Sequence, residues 1–250
     1  MPIWVQAGLW GLAAGGALVL GALVAWLIEV PQRVVASVMA FGAGVLISAL
    51  AFDLVDEAET TGGLTTTVIG FLVGAVAYSL ANLVLAKRGA RHRKRSGEQQ
   101  PSEEEQNGSG SAIAIGALLD GIPESVVLGL SLLGGNGVGI PVLAAIFISN
   151  LPEGLSSAAG MKHNGRSARY VFGVWIGIAI ASGTAGLLGC LLLQGASAGL
   201  VAAITALAAG AILTMVADTM IPEAFEQTHL YAGLIATVGF LAAFTIGRAG

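Results

Sequence analysis

Charge is what this sequence has least of. Asp, Glu, Lys and Arg make up 10% of its 250 residues, while 55% are hydrophobic and the mean hydropathy is +0.83. A soluble domain carries roughly 25% charged residues, so a water-facing surface for a chain of this size is excluded. The bilayer is the solvent that accepts such a composition. Cysteine is nearly missing as well. Cys190 stands alone in an apolar stretch, which excludes an internal disulfide framework and leaves packing as its role. No Gly-x-x-x-x-Gly-Lys sequence is present, so energy for any transport comes from ion gradients. His-Glu-x-x-His is also absent, which removes the usual zinc-hydrolase motif. Outside one loop the chain has few basic residues, and no nucleic-acid partner is expected.

What the chain has instead is long apolar runs separated by polar breaks, and 37 glycines that let membrane helices approach closely. The runs predict eight transmembrane helices near 3–28, 34–56, 64–86, 111–133, 138–161, 169–193, 198–217 and 229–247. The first is too long for a cleaved signal peptide. The fold class expected is therefore all-α, a polytopic membrane protein in one transmembrane domain. Residues 87–110 form the long polar segment. It begins basic, turns acidic at Glu98, Glu103, Glu104 and Glu105, and is expected to be disordered. Placing it in the cytoplasm puts ten of the eleven Lys and Arg inside and leaves Arg248 outside. Both termini are then expected outside the cell membrane.

An internal repeat adds to this plan. Ala43-Gly44-Val45-Leu46-Ile47-Ser48 resembles Ala209-Gly210-Ala211-Ile212-Leu213-Thr214, and Glu57-Ala58 resembles Glu223-Ala224 at the same offset. A weaker trace pairs Gly8-Leu9-Trp10 with Gly173-Val174-Trp175. The paired spans run in opposite directions, so the expectation is an inverted 3+2+3 repeat of the kind found in secondary transporters.

Spans four and five carry the sharpest chemical signal. Asp120-Gly121-Ile122-Pro123-Glu124 lies in one, and Ser149-Asn150-Leu151-Pro152-Glu153-Gly154 in the other. Ionisable groups at such depth are costly and point to function. Asp120 and Glu124 share one helix face, and Ser149 and Asn150 can share a face with Glu153. Each proline would free a carbonyl, that of Leu119 or Ile148, and break its helix near the carboxylate. Three carboxylates close together in low dielectric need a cation or protons. A divalent cation gathers such carboxylate, amide and hydroxyl oxygens in one shell. The alternative is that the acids are protonated packing devices between helices. A route is expected from Asp53, with Asp56, Glu57 and Glu59, at the outer end of span two. It would lead to Asp218, Glu223, Glu226 and His229 at the inner end of span seven.

The two motifs resemble the paired metal-binding motifs of the ZIP family of zinc and iron transporters, in which spans four and five each carry a His-Asn-x-Pro-Glu-Gly type sequence. Phe41-Gly42-Ala43-Gly44-Val45-Leu46 resembles that family's second span, and Asp218-Thr219-Met220-Ile221-Pro222-Glu223 its seventh. The resemblance implies a non-enzymatic carrier that moves divalent metal into the cytoplasm and needs no resident cofactor. It implies metal ligation by Asp120, Glu124, Ser149, Asn150 and Glu153, and allows a homodimer. Asp120 stands at the family's histidine position and Gly121 at its asparagine. Span six supplies no acid, only Ser182 and Thr184. With no imidazole the site is harder than a usual zinc site. Zinc is the family's default cargo, with manganese, iron, cobalt and cadmium as rivals. Two further readings stand beside it: a proton-coupled carrier of an organic cation, and an intramembrane metal-dependent hydrolase.

Overall fold

The structure, a computed structural model, describes residues 1–91, 109–134 and 139–249. The described residues are helical and contain no strand. Among the described residues nine α-helices follow one another: α1 (Ile3–Leu27), α2 (Gln32–Ala49), α3 (Val55–Leu85), α4 (Ser109–Ser131), α5 (Ile140–His163), α6 (Ala168–Leu193), α7 (Ala198–Met215), α8 (Ile221–Thr228) and α9 (Tyr231–Ala249). Most of the polar loop expected over 87–110, with His92, lies outside the described residues. At its start the chain continues helically through a π-helical turn, Ala86–Ala90.

Among the described residues, seven helical stretches are long and apolar enough to cross a membrane. One of them, Gln32–Arg88, runs for 57 residues. A straight helix of that length would measure about 85 Å, nearly three times the ~30 Å apolar core of a bilayer. It is not straight. At Gly63 the backbone adopts φ 76° and ψ 163°, a conformation that costs glycine little and other residues much. The polar break that Thr60-Thr61-Gly62-Gly63 predicts between the second and third apolar runs is thus concentrated in a single residue, with helix continuing up to it.

Contacts fix the helix directions. Asn150 reaches Ala14, and Lys162 donates to the carbonyls of Ala25 (3.4 Å) and Trp26 (2.9 Å). The near-constant offset means α1 and α5 run parallel. Phe52 packs on Phe240 and Phe244, while Arg33 and Ser37 share a cavity with Tyr231 and Ile235, so α2 and α9 are parallel too. Gln227 and Thr228 line that cavity beside Arg33, whereas Met220 lies against Gly42. The α7–α8 limb therefore runs antiparallel to α2. It runs parallel to α3, with Gly62 against Ala202 and Gly74 against Leu207. The chain hence reverses at Gly63.

Glycines permit the closest approaches. A Cβ on Gly44 would overlap the carbonyl oxygen of Ala236, and one on Gly210 that of Phe71. In the same way, Gly239 abuts the carbonyl of Phe41, and Gly74 that of Leu207. Small residues at crossing points are how helices gain van der Waals contact in lipid, where no hydrophobic force drives them together. Cys190 is fully buried beside Ala7 and Leu132, as a packing residue. Trp10 and Trp175, paired in the weaker repeat trace, have unlike surroundings: Trp175 is fully buried and Trp10 is exposed.

Candidate functional site

All five residues read as ligands are buried. Asp120 and Glu124 are 2% exposed, Ser149 0%, and Asn150 and Glu153 4%. Burial at this level is unusual for carboxylates and must be compensated. On α5 the sequence Ser149, Asn150, Glu153, Ser156, Ser157 follows helical spacing and forms one buried polar stripe. Three neighbours enclose it. From α1, the carbonyl of Ala14 accepts from Asn150 Nδ2 at 3.0 Å. From α2, Gly42 faces the backbone of Ser149, where a Cβ would lie 3.1 Å from Ser149 Cα. From α8, Glu223 Oε1 accepts from Ser156 Oγ at 3.4 Å.

These partners decide what each group can still do. With Nδ2 committed to Ala14, the atom of Asn150 left for a cation is Oδ1. Ser149 donates its hydroxyl proton to the carbonyl of Ile146 at 3.0 Å, which leaves its oxygen lone pairs as acceptors. The stripe therefore presents oxygen acceptors of three kinds, amide, hydroxyl and carboxylate, the set that suits a hard or borderline divalent cation.

Asp120 is held elsewhere. Tyr78 of α3 donates its phenolic proton to Asp120 Oδ1, and Tyr78 is itself buried. Next to it, Gly121 leaves room toward Ser182 of α6, whose Oγ would stand 3.4 Å from a Cβ built there. Thr184 faces outward and spends its hydroxyl on the carbonyl of Ile180. α4 packs chiefly on α6 and α5 chiefly on α1, and α4 and α5 touch each other little. Among the described residues, no group of three or more His, Cys, Asp and Glu side chains is placed to hold a metal ion. The expected convergence of three carboxylates is thus not seen. The helices that carry them are buttressed by different partners.

A second correction concerns the prolines. Pro123 and Pro152 lie inside continuous helices, not at breaks. In a packed membrane bundle, neighbouring helices and Ser or Thr hydroxyls support a helix through a missing N–H. Besides the turn at Ala86–Ala90, π-helical segments lie at Leu50–Leu54 and Val216–Met220. Such turns recur at functional sites, and the segments at 50–54 and 216–220 carry Asp53 and Asp218.

The residues read as a route divide. Asp53 is half-buried and lines a cavity with Ser48, Asp56 and Arg248. Glu57, Asp218 and His229 are exposed. Asp218 is not brought to the α5 stripe, and His229 forms the strained turn (φ 46°) before α9. Glu223, expected near an exit, is only 4% exposed and belongs with the stripe. The chain matches no protein-family model and no curated protein. Sequence reasoning missed Tyr78, Ser156 and Ser157. For the two serines a signal existed, since they stand three and four residues after Glu153. For Tyr78 none did, because its partner is on another helix.

Proposed function

We propose that this chain transports divalent metal cations across a membrane, with zinc first among the candidate cargoes and manganese, iron, cobalt and cadmium after it. One observation carries the reading: acids and oxygen-bearing side chains are enclosed together within apolar helices, with Glu153, Ser149 and Asn150 on α5 and Glu223 brought to them by α8. Buried ionisable groups in membrane helices are costly and are kept where they serve an ion path. The ZIP resemblance names the same α5 residues. The cation is bound by oxygens of mixed kind, with Asp120 and Glu124 flanking on α4.

In this reading the reversal at Gly63 makes α2 and α3 separate crossings, for eight in all. The end bearing Arg33, Lys162 and Arg166 faces the cytoplasm, as its basic residues favour, and residues 3 and 248 lie on the outer side of the cell membrane. Support for an inverted repeat comes from paired features. The π-helical turns at 50–54 and 216–220 stand at the offset that relates Ala43 to Ala209. The Gly44 contact on α9 and the Gly210 contact on α3 stand at that same offset. The cation enters past Asp53 and leaves past Glu223 toward His229.

Uptake into vesicles holding the purified protein, over a panel of Zn²⁺, Mn²⁺, Fe²⁺, Co²⁺ and Cd²⁺, tests the reading. Accumulation of at least one ion is expected, together with a thermal shift that EDTA abolishes. Asp120→His should move preference toward zinc, because imidazole suits zinc better than another oxygen does. The lack of a three-acid cluster among the described residues favours one second reading, a proton-coupled carrier of an organic cation. That carrier would show proton-driven uptake with no response to EDTA.

A further inference from the structure

The outer end of α2 carries negative charge, and the structure sets a positive group against it. Asp53 sits in the π-helical turn Leu50–Leu54, which turns it into a cavity of about 140 Å³ between α2 and α9. Ser48, Asp56 and Phe52 line one side, and Phe244, Gly247 and Arg248 the other. The guanidinium of Arg248 is held over the ring of Phe244, 5.5 Å from its centroid. That ring is in turn packed on Phe52 with centroids 5.1 Å apart. The aromatic pair thus ties the cation of α9 to the helix that bears the aspartates, and Arg248 acts electrostatically on Asp53. Arg33, Lys162 and Arg166 lie at the opposite end of the bundle, so the charge in this mouth comes from a residue placed within it.

We propose that Arg248 is a tethered cation that tempers cation capture at this mouth. A fixed positive charge repels a divalent ion twice as strongly as a monovalent one at the same place. It lowers the dwell of the divalent ion at Asp53 and Asp56, and an entry site must release its ion for flux to continue. The inference takes its meaning from the transport reading above. The charge effect itself is measurable without transport.

Asp56→Cys places a thiol on the cavity wall while Asp53 stays in place, and the buried Cys190 serves as the unlabelled background. Rates of modification by a cationic and an anionic methanethiosulfonate of similar size report the local potential. With Arg248→Gln the cationic-to-anionic rate ratio should rise about tenfold, the order expected for one unit charge at cavity distance in a water-like dielectric. Arg248→Met, which keeps an apolar stem for Phe244, should give the same rise, and Arg248→Lys should stay within about twofold of the parent. An unchanged ratio in both neutral variants overturns the proposal. In vesicles, Arg248→Gln should lower the half-saturating Mn²⁺ concentration several-fold. A shifted labelling ratio with no divalent uptake by any variant would sink the transport reading and leave the electrostatic role of Arg248 standing.

Discussion

Glu57 and Glu223 hold matching positions and live in opposite surroundings. Each follows a π-helical turn by the same interval, Leu50–Leu54 in one case and Val216–Met220 in the other. Glu57 is exposed, while Glu223 is buried and takes a hydrogen bond from Ser156 of α5. The local backbone form is shared, so the difference comes from what stands opposite. Beyond Glu223 is the polar stripe of α5, whereas Glu57 is turned to the exposed surface. In the proposed inverted repeat, then, backbone form is kept while the two copies are used differently. In the proposed carrier that asymmetry separates a binding acid from a mouth acid.

The largest expected effect tests the buried side. Glu153→Gln keeps shape and hydrogen-bonding capacity but removes a charge. Loss of a charge-assisted contact of about 2–3 kcal/mol corresponds to roughly 100-fold in apparent affinity, read as the half-saturating Mn²⁺ or Zn²⁺ concentration for uptake. Protons compete with metal for the same oxygens, so affinity of the parent should fall as pH drops, and less steeply in the variant. Normal binding by Glu153→Gln would make the stripe a packing device.

Glu223→Gln should reduce uptake about tenfold, the equivalent of about 1.5 kcal/mol at the low end for a charge-assisted contact, whereas Glu57→Gln should change it by less than about twofold, as for an exposed group. Equal losses would break the distinction between the two copies.

Gly44→Ala and Gly210→Ala probe the shared backbone instead. Both would force a Cβ into a carbonyl oxygen of a neighbouring helix. Each should destabilise by about 1–3 kcal/mol, and by similar amounts, in unfolding followed in detergent micelles. A large effect at one site and none at the other would confine the repeat to the sequence. The smallest effect is expected at the mouth. Asp53→Ala should lower uptake about threefold at sub-saturating metal, the scale of one screened surface charge, and leave the rate at saturation unchanged. A uniform loss at all concentrations would instead place Asp53 in the structural turn.

Much of this was legible in the residues, and the legible part has a common cause. Whether a run is apolar and long enough to span lipid is a property of composition over about 20 residues. The depth of Asp120, Glu124, Ser149, Asn150 and Glu153 follows from the same runs, and all five are buried. The alternation of apolar stretches with polar breaks also located the chain's turns, although it spread over four residues a reversal that Gly63 makes alone.

Tertiary structure decided who meets whom. Nothing near Asp120 announces Tyr78, and nothing near Glu223 announces Ser156, since these partners are separated by 42 and 67 positions. Side-chain periodicity says which face of a helix is polar but not which helix covers it. That choice is made by close contacts at glycines such as Gly21, Gly44, Gly154 and Gly210, where the absence of a Cβ lets one pair of helices approach and so turns the others away. The sequence by itself determined a membrane bundle with buried oxygen-bearing side chains. The packing decided that α4 would lie chiefly on α6 and α5 chiefly on α1, and that Glu223 would meet the α5 stripe, because helix pairing in lipid depends on surface shape more than on hydrophobicity.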